Sequence, residues 1–384
     1  MRPFALPVVF LATFCRSACA APELTPEQRA RVFGPPTSVS TSEPVARVPL
    51  EGTDRRGYYK CTYLHVSING RGPFTFLFDT GASYTSISSE VIRAAHLPLE
   101  LDRGGYHDLL RIASLKIGQV EIRDLTAVRD DDFGVDGVLG FRSFGDKNLT
   151  FDLRERVLLV SEQPVPLPGG FELPYELNRN IPVIPVTIDT THVPILIDTG
   201  DDAYAFELRS DDLKGAVFTH PPIVAHSVLN GPHTQQTKFT TLETPVRLGP
   251  LVYEHAVVGI NDDLPISDFG VEFLKEFRLE LEPKRMVATF QPRFTGAAPP
   301  IRGNLSLGYV ANDQGKVSSV VPGSSAEADG MRAGDVIVSV GGRKPGGYKP
   351  REWDELLAKH ASVEVGWVSG RSKRVEHLEV TEQR

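Results

Sequence analysis

The sequence predicts a mainly β protein: two homologous barrel-like lobes of short strands, followed by a smaller C-terminal module of strands and helices. Three observations carry this reading. Alternating apolar runs bounded by polar turn residues recur along most of the chain. A segment built around Asp-Thr-Gly occurs twice, at Asp79 and at Asp198, and self-similarity of this kind points to a repeated architecture. After Gln291-Pro292-Arg293 the chain runs through TGAAPP and changes to a strand, capped helix, turn and strand pattern.

The N-terminus reads as a secretory leader, with basic Arg2, an apolar run and the small-residue ending Ala18-Cys19-Ala20, so cleavage is expected after Ala20. The apolar run covers about 12 residues, against the roughly 20 needed to span a bilayer, and no later segment approaches that length. A periplasmic or secreted protein without a membrane span is the expectation. Of the 3 cysteines two lie in the leader, leaving Cys61 and no intramolecular disulfide. The mature chain must hold by burial alone, which a chain of this length achieves when divided among two or three cores. The formal net charge of −8 becomes −10 once Arg2 and Arg16 leave with the leader. An acidic chain without a basic stripe argues against a nucleic-acid partner.

Each copy of the repeat begins with an alternating run, HVSI (65–68) or IPVTI (184–188), passes a short polar turn, and re-enters an apolar strand that ends at Asp-Thr-Gly. This is the pattern of a β-hairpin. Short helices are expected at SSEVIRAAH (88–96) and EFLKEF (272–277), and each copy closes on a strand, turn and strand, at 149–160 and 277–290. The interval from Asp79 to Gly118 is shorter than that from Asp198 to Gly249, whereas Gly118 to Gly140 nearly equals Gly249 to Gly270. The second copy therefore carries an insertion within about 205–245, which reads as an extended hairpin with Asn230-Gly231-Pro232 at its tip. The boundaries that follow are leader 1–20, N-terminal extension or linker 21–56, first lobe 57–163, linker 164–176, second lobe 177–294, linker 295–301 and C-terminal module 302–384.

One Asp-Thr-Gly is a surface turn as readily as anything else, but two in matching repeats, each after an apolar strand, have a chemical rationale. Two carboxylates about 3 Å apart cannot both ionise, so they share a proton and can supply acid and base together. FLFDTGAS (76–83), ILIDTGDD (195–202) and Asp136-Gly137-Val138-Leu139-Gly140 give residues 58–294 a resemblance to the retropepsin-like aspartic proteases, with two fused lobes in place of two identical subunits. The resemblance implies a dyad of Asp79 and Asp198, supported by Thr80, Gly81, Thr199 and Gly200. It also implies substrate contacts from Ala82, Ser83 and Asp202, and from Asn230 and Gly231 on a flap formed by the 226–240 hairpin, with little or no flap on the first lobe. No cofactor and no metal is implied. Two features depart from the family pattern: Asp201, and the Asp268-Phe269 pair before Gly270. If Asp201 lies close, it pushes the dyad's shared-proton pKa upward.

Other candidate sites are weaker. His220, His226 and His233 match no zinc spacing, and Asp130-Asp131-Asp132 lacks the ligand alternation of a calcium loop. Cys61 reads as a small core residue. Residues 21–56 are a tether or a propeptide.

In the C-terminal module, Ser324 with Glu327 forms a capping box, Gly330 is placed to end the short helix, and REWDELLAKH (351–360) predicts a second helix. The run from Pro322 to Asp335 and on through VIVSVGG resembles a PDZ domain of the kind attached to bacterial exported proteases. That resemblance implies a groove for a peptide or C-terminal tail near Leu307, Gly308, Tyr309 and Trp353. The combined reading is an exported aspartic endopeptidase acting on polypeptides; the alternative is an inactive peptide-binding scaffold.

Overall fold

The structure is a computed structural model that describes residues 34–51, 62–101, 108–131, 135–201, 204–230, 233–301, 305–311, 314–345 and 350–382. The leader, residues 21–33 and 52–56, Cys61, Asp132, Asp202 and Gly231 lie outside the described residues, as do the side chains of Asn230 and Trp353. Among the described residues, no helix is long and apolar enough to cross a membrane.

The first lobe is a closed barrel. Val120–Arg129, Thr85–Ile87, Gly137–Gly140, Arg71–Asp79, Tyr63–Ile68 and Asp108–Ile117 follow one another, and pairing of Asp108–Ile117 with Val120–Arg129 completes the ring. The hairpin into Arg71–Asp79 turns at Asn69 and Gly70, both at positive φ (50° and 80°), as a two-residue turn between twisted strands requires. The second lobe repeats the plan. Ile181–Ile188 pairs with Thr191–Ile197, which runs parallel to Ser267–Phe269, as Arg71–Asp79 runs parallel to Gly137–Gly140. Where the first lobe uses one strand, Asp108–Ile117, the second uses two, His233–Thr241 and Val246–Leu248. Pro245, which has no N–H for a ladder, occupies the gap between them.

A six-stranded sheet ties the lobes together, in the order Phe171–Pro174, Val287–Pro292, Phe277–Glu282, Asn148–Asp152, Val157–Ser161, Val45–Pro49. At its centre Leu149 faces Leu281 and Phe151 faces Leu279 across the lobe boundary. Its two edges correct the sequence reading. Val45–Pro49, placed in the extension 21–56, pairs along Val157–Ser161, and Ser38–Thr41 pairs along Val120–Arg129. Phe171–Pro174, placed in the linker 164–176, pairs along Val287–Pro292. The cause is alternation in runs too short to stand out: Ala46, Val48 and Leu50 all point inward and are buried. The expected helix 272–277 is also shorter, Val271–Leu274, because Phe277 turns into the core and starts the next strand.

One apolar cluster runs through both lobes. Phe78, one residue before Asp79, stacks on Phe151 at 5.4 Å and meets Phe144 edge-on at 5.4 Å. Phe206 stacks on Phe269 at 4.4 Å in the second lobe. Each such ring contributes about 2 kcal/mol by burial, so the strands that end at the two aspartates are anchored from beneath.

The hairpin expected as a flap is present: Ile223–Asn230 pairs with His233–Thr241, and Asn230 opposite His233 closes it. At the equivalent place the first lobe pairs Leu99–Leu101 with Asp108–Leu110. This pairing is short, with Leu101 opposite Asp108 as its last described pair.

The C-terminal module has its own core around Trp367, Leu307 and Val365. Ser324 caps Ser325–Ala328 by accepting from the Glu327 N–H at 3.3 Å, while the Glu327 carboxylate accepts from Gly323 N–H at 2.7 Å. Gly330, at φ +80°, follows the end of this helix, and a longer helix covers Pro350–Lys359. The connector 295–301 is fastened to the second lobe, because Ile301 is buried and its carbonyl accepts from Val257 N–H at 3.1 Å.

Candidate active site

Two strands from two lobes deliver Asp79 and Asp198 to one point, and the threonines that follow them lock it. Thr80 N–H donates to Thr199 Oγ1 at 3.0 Å, and Thr199 N–H donates to Thr80 Oγ1 at 3.0 Å. Each hydroxyl then donates across the boundary to a main-chain carbonyl, Thr80 to Ile197 at 2.5 Å and Thr199 to Phe78 at 2.9 Å. Both threonines are fully buried, so all four bonds are made away from water. Thr is the residue that fits: its hydroxyl donates once and accepts once within a strand-end geometry.

The glycines set how closely the carboxylates approach. A Cβ on Gly81 would overlap the Asp198 carboxylate, and one on Gly200 would come within 2.6 Å of Asp79 Cγ. Each aspartate therefore lies against the other lobe's glycine. Within its own turn, Asp79 Oδ1 accepts from Gly81 N–H at 2.7 Å, and Asp198 Oδ1 accepts from Gly200 N–H at 2.8 Å and Asp201 N–H at 3.2 Å. The two side chains are hydrogen-bonded to each other. Burial, then the charges of Asp79 and Asp201, push the Asp198 carboxyl well above the ordinary carboxylate range.

Behind Asp198 lies a second group of acids. Asp201, Glu207 and Asp268 are each at most 1% exposed, and an oxygen from each lies within 4.8 Å of the other two. Burial, followed by Asp201, raises the Glu207 carboxyl, and Asn261 Nδ2 donates to it at 3.2 Å. Burial, followed by Asp201, Glu207 and Asp198, raises Asp268. Among the described residues these are the acids close enough to share a cation. Burial and mutual repulsion therefore favour the protonated forms of Glu207 and Asp268.

The sequence singled out Asp201 and Asp268 separately and missed Glu207. The signal was present but not local. Ser86 pairs with Val138 in the first lobe as Glu207 pairs with Asp268 in the second, so Glu207 and Asp268 replace Ser86 and Val138 in matching registers. Asp201 replaces Ala82 after the glycine of the turn.

Ala82 and Ser83 are buried beside the first turn, and Asn180 of the second lobe donates to the Ser83 carbonyl at 3.4 Å. Asn230 pairs with His233 at the closing end of the long hairpin. Leu307 places its side chain in the module core, Tyr309 is half-buried, and Gly308 adopts φ +78° beside Ser324. Of the other candidates, Asp131 and His220 have structural roles, and the side chains of His226 and His233 lie outside the described residues. Asp131 accepts from Ser89 N–H at 2.7 Å and Ser89 Oγ at 2.6 Å at a helix start, and His220 packs edge-on against Phe239.

No curated protein matches the chain. Residues 64–146 match the family model described as gag-polyprotein putative aspartyl protease, and residues 316–367 match that of the PDZ domain. The chain thus joins a gag-polyprotein-like aspartyl protease domain to a C-terminal PDZ domain.

Proposed function

We propose that the protein is an exported aspartic endopeptidase. The observation that carries the reading is the reciprocal threonine lock, which joins the two Asp-Thr-Gly turns so that each carboxylate rests on the other lobe's glycine. Asp198, with its raised pKa and the acids behind it, is the better holder of the dyad's proton. Asp79 then acts as the base that takes a proton from water as its oxygen attacks the scissile carbonyl, and Asp198 protonates the carbonyl oxygen. Collapse of the tetrahedral species, with a proton passed to the amide nitrogen, breaks the C–N bond and regenerates the one-proton dyad. The Ile223–Thr241 hairpin closes over an extended polypeptide, whose backbone lies along Ala82 and Ser83.

The PDZ domain supplies a second polypeptide contact. Among the described strands, Tyr309–Ala311 pairs on one side only, with Val317–Val320. Its other edge can take a peptide as an added strand, with the carboxylate near Leu307 to Tyr309. Export rests on the leader, and the periplasm is the proposed compartment; N-terminal sequencing of the exported form is expected to begin at Ala21.

The test is incubation of the mature chain with a denatured protein from about pH 3 to 8, with and without a statine-type inhibitor. Fragments that disappear with the inhibitor are expected. Binding without fragments at every pH would replace the protease with an inactive peptide-binding scaffold.

A further inference from the structure

The flap does not stand alone on the second lobe. Its first strand, Ile223–Asn230, lies against two PDZ strands, Tyr309–Ala311 and Val317–Val320. Ser319 Oγ donates to the Val224 carbonyl at 2.7 Å. One residue past the end of that PDZ strand, Val321 packs with Ile223 onto the buried cluster of Tyr204, Phe239 and Val257.

Each member of this cluster has a place in the cleft architecture. Phe239 is on the returning strand of the flap, paired with Gly259. Tyr204 follows the Asp198 turn closely in sequence, and its ring lies so near Gly259 that a Cβ there would be 2.5 Å from Tyr204 Cδ2. Val321 is itself held in place. Its N–H donates to the Gly308 carbonyl at 2.8 Å, and Ser324 Oγ sits 2.6 Å from the Val321 carbonyl. The contact therefore joins the PDZ domain at its peptide-loop end to the base of the flap and to the segment following the dyad.

A two-stranded hairpin is marginally stable in water and needs packing against another element. The short hairpin of the first lobe spans few pairs, Leu99 opposite Leu110 to Leu101 opposite Asp108. The long one extends from Ile223 opposite Phe239 to Asn230 opposite His233, and the PDZ domain packs against its first strand.

We propose that the PDZ domain braces the flap of the second lobe, acting on the cleft through Ser319 and Val321 as well as by holding polypeptide. The inference rests on reading the Ile223–Thr241 hairpin as the flap over the dyad. Its test is amide hydrogen exchange across 223–230 and 233–241 in the full chain carrying Asp79→Asn, which needs no activity. Val321→Ala and Ile223→Ala are each expected to speed exchange there several-fold, and the double variant no more than the stronger single one. Trp367, buried in the PDZ core, reports through its fluorescence whether that domain stays folded. Should Val321→Ala disturb it, Ser319→Ala decides, with faster exchange expected over the first flap strand. Unchanged exchange in the variants that keep Trp367 emission, or additive effects of Val321→Ala and Ile223→Ala, would overturn the brace. Altered exchange in a chain whose wild type cuts nothing would instead leave the brace standing and remove the protease reading.

Discussion

The two lobes share a backbone and differ in what three equivalent positions hold. Ala82, Ser86 and Val138 line the first turn and its neighbouring strands, and Asp201, Glu207 and Asp268 occupy the same places in the second. The registers are the same: Leu77 faces Val138 as Leu196 faces Asp268. All six residues are buried. Duplication thus preserves what the threonine lock needs, the strand ends and the glycine approach, while side chains behind the lock are free to set the electrostatics. The lesson is that a symmetric scaffold can hold an asymmetric dyad, because the acids stand behind Asp198 and none of their first-lobe counterparts can carry charge.

The largest way to break the comparison is at the lock itself. Thr80→Ala and Thr199→Ala each remove two cross-lobe bonds and strand a buried N–H and a buried carbonyl, at about 1–3 kcal/mol for each group. Equal losses in thermal stability are expected, with Thr→Ser sparing most of the loss at either position. A loss confined to one threonine would mean that the lobes are not equivalent at their seam.

Next in size is conversion of the second interior into the first, by Asp201→Ala, Glu207→Ser and Asp268→Val together. Glu207 and Asp268 have carboxyl pKa values raised by folding, so the folded chain keeps protons that the unfolded chain releases above about pH 4. Their stabilising contribution is complete below that pH and is lost as pH rises toward the folded values. The wild type should therefore weaken between about pH 5 and 8, and the triple variant should weaken less and gain about 1–4 kcal/mol at the upper end. Denaturant melts at several pH values check this; parallel curves for the two proteins would show that the acids are neutralised by something other than protons.

A smaller effect sharpens the asymmetry. Asp201 raises the Asp198 carboxyl, so Asp201→Ala should move the pH optimum of cleavage downward with little change in the maximum rate. An unmoved optimum would separate the buried acids from the dyad. Smallest is Glu280→Gln. Thr150 of the first lobe faces Glu280 of the second at the centre of the shared sheet, and burial pushes the Glu280 carboxyl up to about 7. Its stabilising proton is lost as pH rises from about 4 through 7, so the Gln variant should show a shallower decline in stability over that range.

Much of this was legible in residue order. The Asp-Thr-Gly repeat, the Asn69-Gly70 hairpin, the Ser324 cap and the long hairpin ending near Asn230 are local signals, each readable within a few residues. The edge strands Ser38–Thr41, Val45–Pro49 and Phe171–Pro174 were not, because each is short and its partner lies far along the chain. Glu207 was missed for a related reason. A glutamate in Phe-Glu-Leu reads as the exposed face of a strand, and only the pairing with Asp268 and the turn at Asp201 shows that both faces are covered. Burial of an acid is a property of three segments at once.

The central claim is that one proton shared between the lobes does the chemistry, so neither aspartate suffices alone. It is tested most directly by cleavage of a denatured protein at the optimal pH by wild type, Asp79→Asn and Asp198→Asn, with circular dichroism as the check on folding. Both variants should stay folded and lose about 10²–10⁴-fold or more in rate. Undiminished cleavage by either folded variant would contradict the account.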